Sequence, residues 1–146
     1  MSGITLRHAE TDQEVAACFP VMAQLRPHLA SAEEFVARVT RQRAEGYRLL
    51  AAWRDGVAVA LAGYRTEENL IHGRFLYVDD LVTAETERRQ GLGARLLDAV
   101  AGEGRRLGCR RLVLDTALDN VLGHRFYYRQ GLVARALRFS REIAPS

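Results

Sequence analysis

A chain of 146 residues, 48% hydrophobic and 27% charged, carries enough apolar material for a core and too much for a disordered polypeptide. This length predicts a single domain over residues 1–146, and no apolar run approaches the roughly 20 residues that a membrane span needs. The 21 basic residues, all of them Arg, exceed the 18 acidic ones by a net charge of +3, which excludes the strongly charged classes.

In chain order, Ile4 to His8 reads as a short first strand. Helical spacing follows from Asp12 to Arg26, with Pro20 placed to kink or split it and Pro27 to stop it. Ser31-Ala-Glu-Glu34 has the form of a capping box opening a helix that runs to about Glu45, with Phe35, Val36 and Val39 as its apolar face. Arg48 to Trp53 and Val57 to Tyr64 are predicted strands joined by Asp55-Gly56, two residues that tolerate positive φ and favour a tight hairpin. A polar turn from Glu67 to Gly73 leads into a third long strand, Arg74 to Thr83, completing an antiparallel meander.

Leu92, Leu96, Leu97 and Val100 then mark a helix from Gly91 to Leu107 packed on that sheet. Arg111 to Thr116 reads as a further strand, Asn120 to Gln130 as a short helix, and Leu132 to Phe139 as a final strand. A meander followed by strand, helix and strand predicts an α/β fold. Its central sheet should be mixed and mostly antiparallel, with helices on both faces and one right-handed crossover. Cys18 and Cys109 lack the spacing of a zinc site or a disulfide framework, which suits a reducing cytoplasm and no metal. The opening residues do not form a secretory leader, so the mature protein is expected to be the chain as written.

Arg88-Arg89-Gln90-Gly91-Leu92-Gly93-Ala94 lies between the long strand and the amphipathic helix. The free amides at a helix start attract anions, two glycines let an oxygen-rich ligand approach the backbone, and the arginines add positive charge. A pyrophosphate fits this chemistry. A nucleotide-binding P-loop would need a Gly-Lys pair, and the chain has no Lys. A dinucleotide fingerprint would need Gly or Ala where Leu96 stands, and glycines closer behind the strand.

With Arg88, Gly91 and Gly93 in this loop, Leu81-Val82-Thr83 before it, and Asn120, Phe126-Tyr127 and Gly131-Leu132 after it, the sequence resembles the GCN5-related N-acetyltransferase family. The resemblance is strongest from about Arg74 to Phe139. It implies a sheet whose fourth and fifth strands splay to admit acetyl-CoA as co-substrate. Backbone groups of Leu81, Val82 and Thr83 would pair with the pantetheine arm like an added strand. Arg89 to Ala94 would hold the pyrophosphate, Asn120 would bond the arm from the other side, and the amide near Val82 would stabilise the oxyanion. Gly123 departs from the Ala common in the family.

The resemblance also gives Tyr127 the role of general acid, protonating the thiolate that leaves when an amine attacks a thioester. The amine must itself lose a proton. Asp80 and Asp115 are the candidate bases, with His124 in reserve; Asp79 and Asp80 read equally as a solvated face or partners of Arg74. The expected reaction is direct attack in a ternary complex on a small-molecule or peptide amine, with a homodimer suited to the edge strands. Two rivals stand beside it: an Arg-rich nucleic-acid-binding module, against which the scattered arginines argue, and an acyl-CoA-binding domain with little transferase activity.

Overall fold

The computed structural model describes residues 3–145. Its elements are β1 (Ile4–His8), α1 (Asp12–Ala17), α2 (Phe19–Leu25), α3 (Ala32–Arg43), β2 (Arg48–Arg54), β3 (Val57–Asn69), β4 (Gly73–Thr83), α4 (Leu92–Arg106), β5 (Leu112–Leu114) and α5 (Val121–Arg129). They divide into two compact units, residues 1–114 and 115–146.

In the first unit the strands lie in the order β1-β2-β3-β4-β5. The first four pair antiparallel, and β5 joins β4 in parallel through Leu76↔Leu112, Tyr77↔Val113 and Val78↔Leu114. The β2–β3 hairpin turns on Asp55 and Gly56, whose φ values of 52° and 77° are those its two-residue loop requires. The predicted first helix is two helices. Cys18 leaves the α1 path, and Pro20 sits in the first turn of α2, where its missing N–H breaks no helical bond. A full capping box that the sequence reading passed over, Thr11 with Glu14, opens α1. At α3 Ser31 Oγ accepts the Glu34 N–H as expected, whereas the Glu34 carboxylate reaches the Ala30 N–H.

Strand alternation divides the core. Leu49, Ala51, Trp53, Leu61 and Val82 cluster with residues of α1, α2 and α3 on one face. Leu50, Ala52, Ala60, Ala62, Tyr64 and Leu76 are buried on the opposite face, where Leu96, Leu97 and Val100 of α4 pack and Gly104 allows the helix close to Leu76. Each fully buried Leu or Val of this layer contributes about 1.5–3 kcal/mol.

One irregularity decides what β4 presents. Gly63 pairs with Asp80 and Tyr64 with Val78, so Asp79 is an extra residue in β4. The bulge reverses alternation: Leu76 and Val78 belong to the α4 face, whereas Asp80 and Val82 turn to the face covered by α1 to α3. Beyond Val78 no strand among the described residues pairs with the outer edge of β4. Asp79 to Thr83 thus leave about 17 Å of edge open at the strand rise of roughly 3.4 Å per residue. This is the splay expected between the fourth and fifth strands.

The predicted strand from Leu132 to Phe139 does not form: no strand is assigned after α5 among the described residues. Apolar content does not by itself make a strand, which is a pairing, and this segment leaves Val133, Leu137 and Phe139 exposed. The expected strand Arg111 to Thr116 likewise contracts to Leu112–Leu114, the residues that have partners on β4.

Candidate active site

The turn from β4 into α4 is held at three points. The Ala84 N–H donates to the Val59 carbonyl, the Glu85 N–H to Gln24 Oε1, and Arg54 bridges to Glu87 at 3.3 Å. Arg89, with φ of 69°, and Gly91, with φ of 75°, both adopt the left-handed conformation and swing the chain into the helix. Gly91 caps α4 without a side-chain acceptor, and the first helical bond runs from the Arg95 N–H to the Gly91 carbonyl. The amides of Leu92, Gly93 and Ala94 therefore project from the helix end without intrahelical acceptors. Leu92 is buried and anchors this end, while Arg88 and Arg89 are exposed beside it. Three outward donors, a helix dipole and two guanidinium groups form a donor set that fits a diphosphate. Gln90 differs from its neighbours: Nε2 donates to Glu87 Oε2 and Oε1 accepts from Arg54, so its side chain fastens the loop to the end of β2.

Leu81, Val82 and Thr83 occupy the open stretch of β4, with Val82 packed in the core and its neighbours half-buried. Just before them, Asp79 and Asp80 are ion-paired, though not to Arg74 as the sequence suggested. Arg74 donates instead to the Leu107 carbonyl. Arg65 Nε donates to Asp79 Oδ2 at 2.9 Å, and burial still pushes the Asp79 carboxyl above the usual carboxylate range. Arg26 Nε donates to Asp80 Oδ1 at 3.0 Å, Arg26 Nη2 to the Asp79 carbonyl, and the Tyr47 hydroxyl to Asp80 Oδ2 at 2.8 Å.

The remaining candidates belong to the second unit. Asp115 pairs with Arg138 at 2.7 Å. Asn120 caps α5: Oδ1 accepts the Gly123 N–H and Nδ2 donates to Thr116 Oγ1. His124 Nε2 lies 2.9 Å from the Ala117 carbonyl. Tyr127 is half-buried, edge-on to Phe126 at 5.4 Å between ring centres, and burial raises its phenol above 10.

The acetyltransferase (GNAT) family model matches residues 9–132. The chain belongs to the GNAT family. An uncharacterized N-acetyltransferase of Bacillus subtilis, YhdJ, is 30% identical over 96% of this chain and 99% of its own length. An aminoalkylphosphonate N-acetyltransferase of Salmonella typhimurium is 28% identical over 94% of this chain and 90% of its own length. Among solved structures, an aminoglycoside N-acetyltransferase, AAC(6')-Iy, in complex with CoA superimposes with a TM-score of 0.86 at 19% identity, covering 99% of this chain and 97% of that one. This GNAT chain is an acetyl-CoA-dependent N-acetyltransferase.

Arg26, Tyr47, Gly63 and Arg65 were not found by sequence reasoning, although they surround Asp79 and Asp80. Gly63 carried a signal: a glycine inside the apolar run Val57 to Tyr64 marks a bulge or a close approach. The other three have no local pattern, because the bulge that gathers them depends on pairing between strands. A cleft of about 430 Å³ lined by His8, Glu10, Arg43, Tyr47 and Arg48 opens at the start of β2. Its charges are largely matched, Arg43 by the Ala9 carbonyl and Arg48 by Glu10.

Proposed function

We propose that residues 1–146 act as one catalytic domain that transfers the acetyl group of acetyl-CoA to a primary amine on a small molecule by direct attack in a ternary complex. The observation that carries this reading is the loop at Arg88 to Ala94, where two left-handed residues turn the chain so that three amides project from the end of α4 beside two exposed arginines. Such a donor set suits the diphosphate of the co-substrate. The open β4 edge at Leu81 to Thr83 suits an added amide chain, with the amide near Val82 as oxyanion donor.

In the reaction, Asp80 or Asp115 takes the proton of the ammonium, directly or through water. The free amine forms the new C–N bond, the C–S bond breaks, and the second proton shed by the nitrogen as the amide forms passes to solvent, from which the Tyr127 phenolate is reprotonated. Tyr127 supplies the proton taken by the departing thiolate, and its half-buried, neutral phenol suits that donation. Asn120 contributes a polar contact to the pantetheine arm. A small acceptor is favoured over a peptide because two relatives are named for aminoalkylphosphonates and aminoglycosides. The reading includes a cytoplasmic enzyme that forms a homodimer.

Initial rates measured with both substrates varied test the mechanism. Intersecting double-reciprocal lines are expected, and parallel lines with a burst of free CoA before the amine is added would overturn direct attack. A panel of amino acids, aminophosphonates, amino sugars and peptides assayed for CoA release tests the acceptor class. Turnover confined to peptides would remove the small-molecule reading.

A further inference from the structure

Tyr47 is the residue before β2, and its side chain is 3% exposed. Its ring passes over β3 at Gly63, where a Cβ would stand only 1.9 Å from the phenol oxygen and 2.5 Å from Cζ. No other residue fits at position 63 with the ring where it is. Gly63 is the partner of Asp80 in the β3–β4 register, so the phenol reaches across one strand to the carboxylate on the next.

The geometry points to Tyr47 as a positioning residue for acetyl transfer, a fixed donor that orients the Asp80 carboxylate towards the proton that the acceptor amine gives up. This rests on the reading of Asp80 as the base. The ring is held by Gly63 against it and by the Arg65 guanidinium 5.4 Å from its centre. Arg65 is in turn held by Asp79, Gln42 and Glu45. Burial and the nearby Asp80 charge push the Tyr47 phenol well above its ordinary range, so it donates throughout any working pH. The charged groups around Asp80 are Arg26 from the end of α2, Asp79 beside it on β4, and Arg65 of β3 acting through Asp79. Arg26 holds Oδ1, and only the Tyr47 hydroxyl donates to Oδ2 among the described residues. A carboxylate held at both oxygens keeps one orientation, and losing the donor at Oδ2 frees it to turn.

The experiment compares Tyr47→Phe, Asp80→Asn and the double variant as full pH-rate profiles, with calorimetric binding of acetyl-CoA as the check on folding. Tyr47→Phe keeps the ring over Gly63. Its kcat should fall on the order of 10-fold, the effect of one lost charge-assisted hydrogen bond, with the loss in kcat rather than in KM and with acetyl-CoA binding unchanged. The double variant should be no slower than Asp80→Asn, since Tyr47 acts through that residue. A wild-type profile in Tyr47→Phe beside an impaired Asp80→Asn overturns the positioning role and leaves the base in place. A wild-type Asp80→Asn removes Asp80 as the base, and with it the role of Tyr47. A further loss in the double variant also overturns the proposal, because Tyr47 would then act elsewhere.

Discussion

Asn120 Oδ1 accepts the Gly123 N–H at 3.1 Å, and a Cβ on Gly123 would stand 2.3 Å from Asn120 Nδ2. Glycine at 123 therefore does more than loosen α5: it leaves room for the side chain that caps it. Gly123→Ala gains about 1 kcal/mol of helix propensity and loses about 1 kcal/mol of capping. Thermal unfolding should show stability within about 1 kcal/mol of wild type. Asn120→Ala has no compensating gain and should lose about 1 kcal/mol. A Gly123→Ala variant as destabilised as Asn120→Ala would show that the propensity gain is absent.

At the α4 loop, nothing lies within 4 Å of a Cβ built on Gly91, so Gly91→Val has space but the wrong backbone preference at φ of 75°. The left-handed conformation costs a residue with a side chain about 1–2 kcal/mol, which the fold survives and the loop geometry does not. Calorimetry should show acetyl-CoA affinity reduced about 10-fold or more, the equivalent of that strain. Arg89 already bears such strain with φ of 69°. Arg89→Gly should keep stability within about 1 kcal/mol and flatten the salt dependence of binding. Unchanged affinity in both variants would take the diphosphate away from this loop.

Tyr127→Phe should lower turnover about 100-fold or more while leaving acetyl-CoA affinity intact, since it removes a proton donor and keeps the ring against Phe126. Burial raises the phenol above 10, so the group stays protonated through neutral pH and its basic limb lies beyond that value. Single-turnover rates measure the chemical step directly. Wild-type rates there would exclude Tyr127 as the acid.

His8 Nε2 lies 2.8 Å from the Tyr64 hydroxyl, and burial, helped by Arg48, lowers its imidazole below 6.5. The unfolded chain therefore takes up this proton first as the pH falls. The His8 contribution is complete above 6.5 and declines from there down to the folded-state value. Urea midpoints for wild type should drop between neutral and mildly acidic pH, and His8→Asn should lessen that drop. Equal slopes in the two proteins would clear His8 of the effect.

The legible parts of the fold are those coded locally. Asp55-Gly56 fixes a turn by its φ preference, Ser31 caps a helix three residues on, and Gly91 with Gly93 opens α4 next to arginine. The environment of Asp80 was not legible. It depends on a single extra residue at Asp79, which only the pairing of Tyr64 with Val78 exposes, and on Tyr47, 33 positions away in sequence. Leu132 to Phe139 failed for the converse reason: its apolar residues suit a strand, and the partner that a strand presupposes is not among the described residues. Gln90 was placed with the ligand loop by position, yet its side chain turns back to Arg54 and Glu87.

The bulge at Asp79 also sets how this chain can change length. Deleting that one residue would join Val78 directly to Asp80 with the pairs Tyr64–Val78 and Gly63–Asp80 kept, so Asp80 and Val82 would hold their faces and only the bulge would be lost. Arg65 would lose the Asp79 carboxylate and Arg26 the Asp79 carbonyl, while the Tyr47 hydroxyl would keep Asp80. A further inserted residue has no such outlet, because it turns the positions beyond it to the other face. Length variation is therefore better tolerated at the exposed hairpin tip of Leu70 and Ile71, where no side chain is committed to a face.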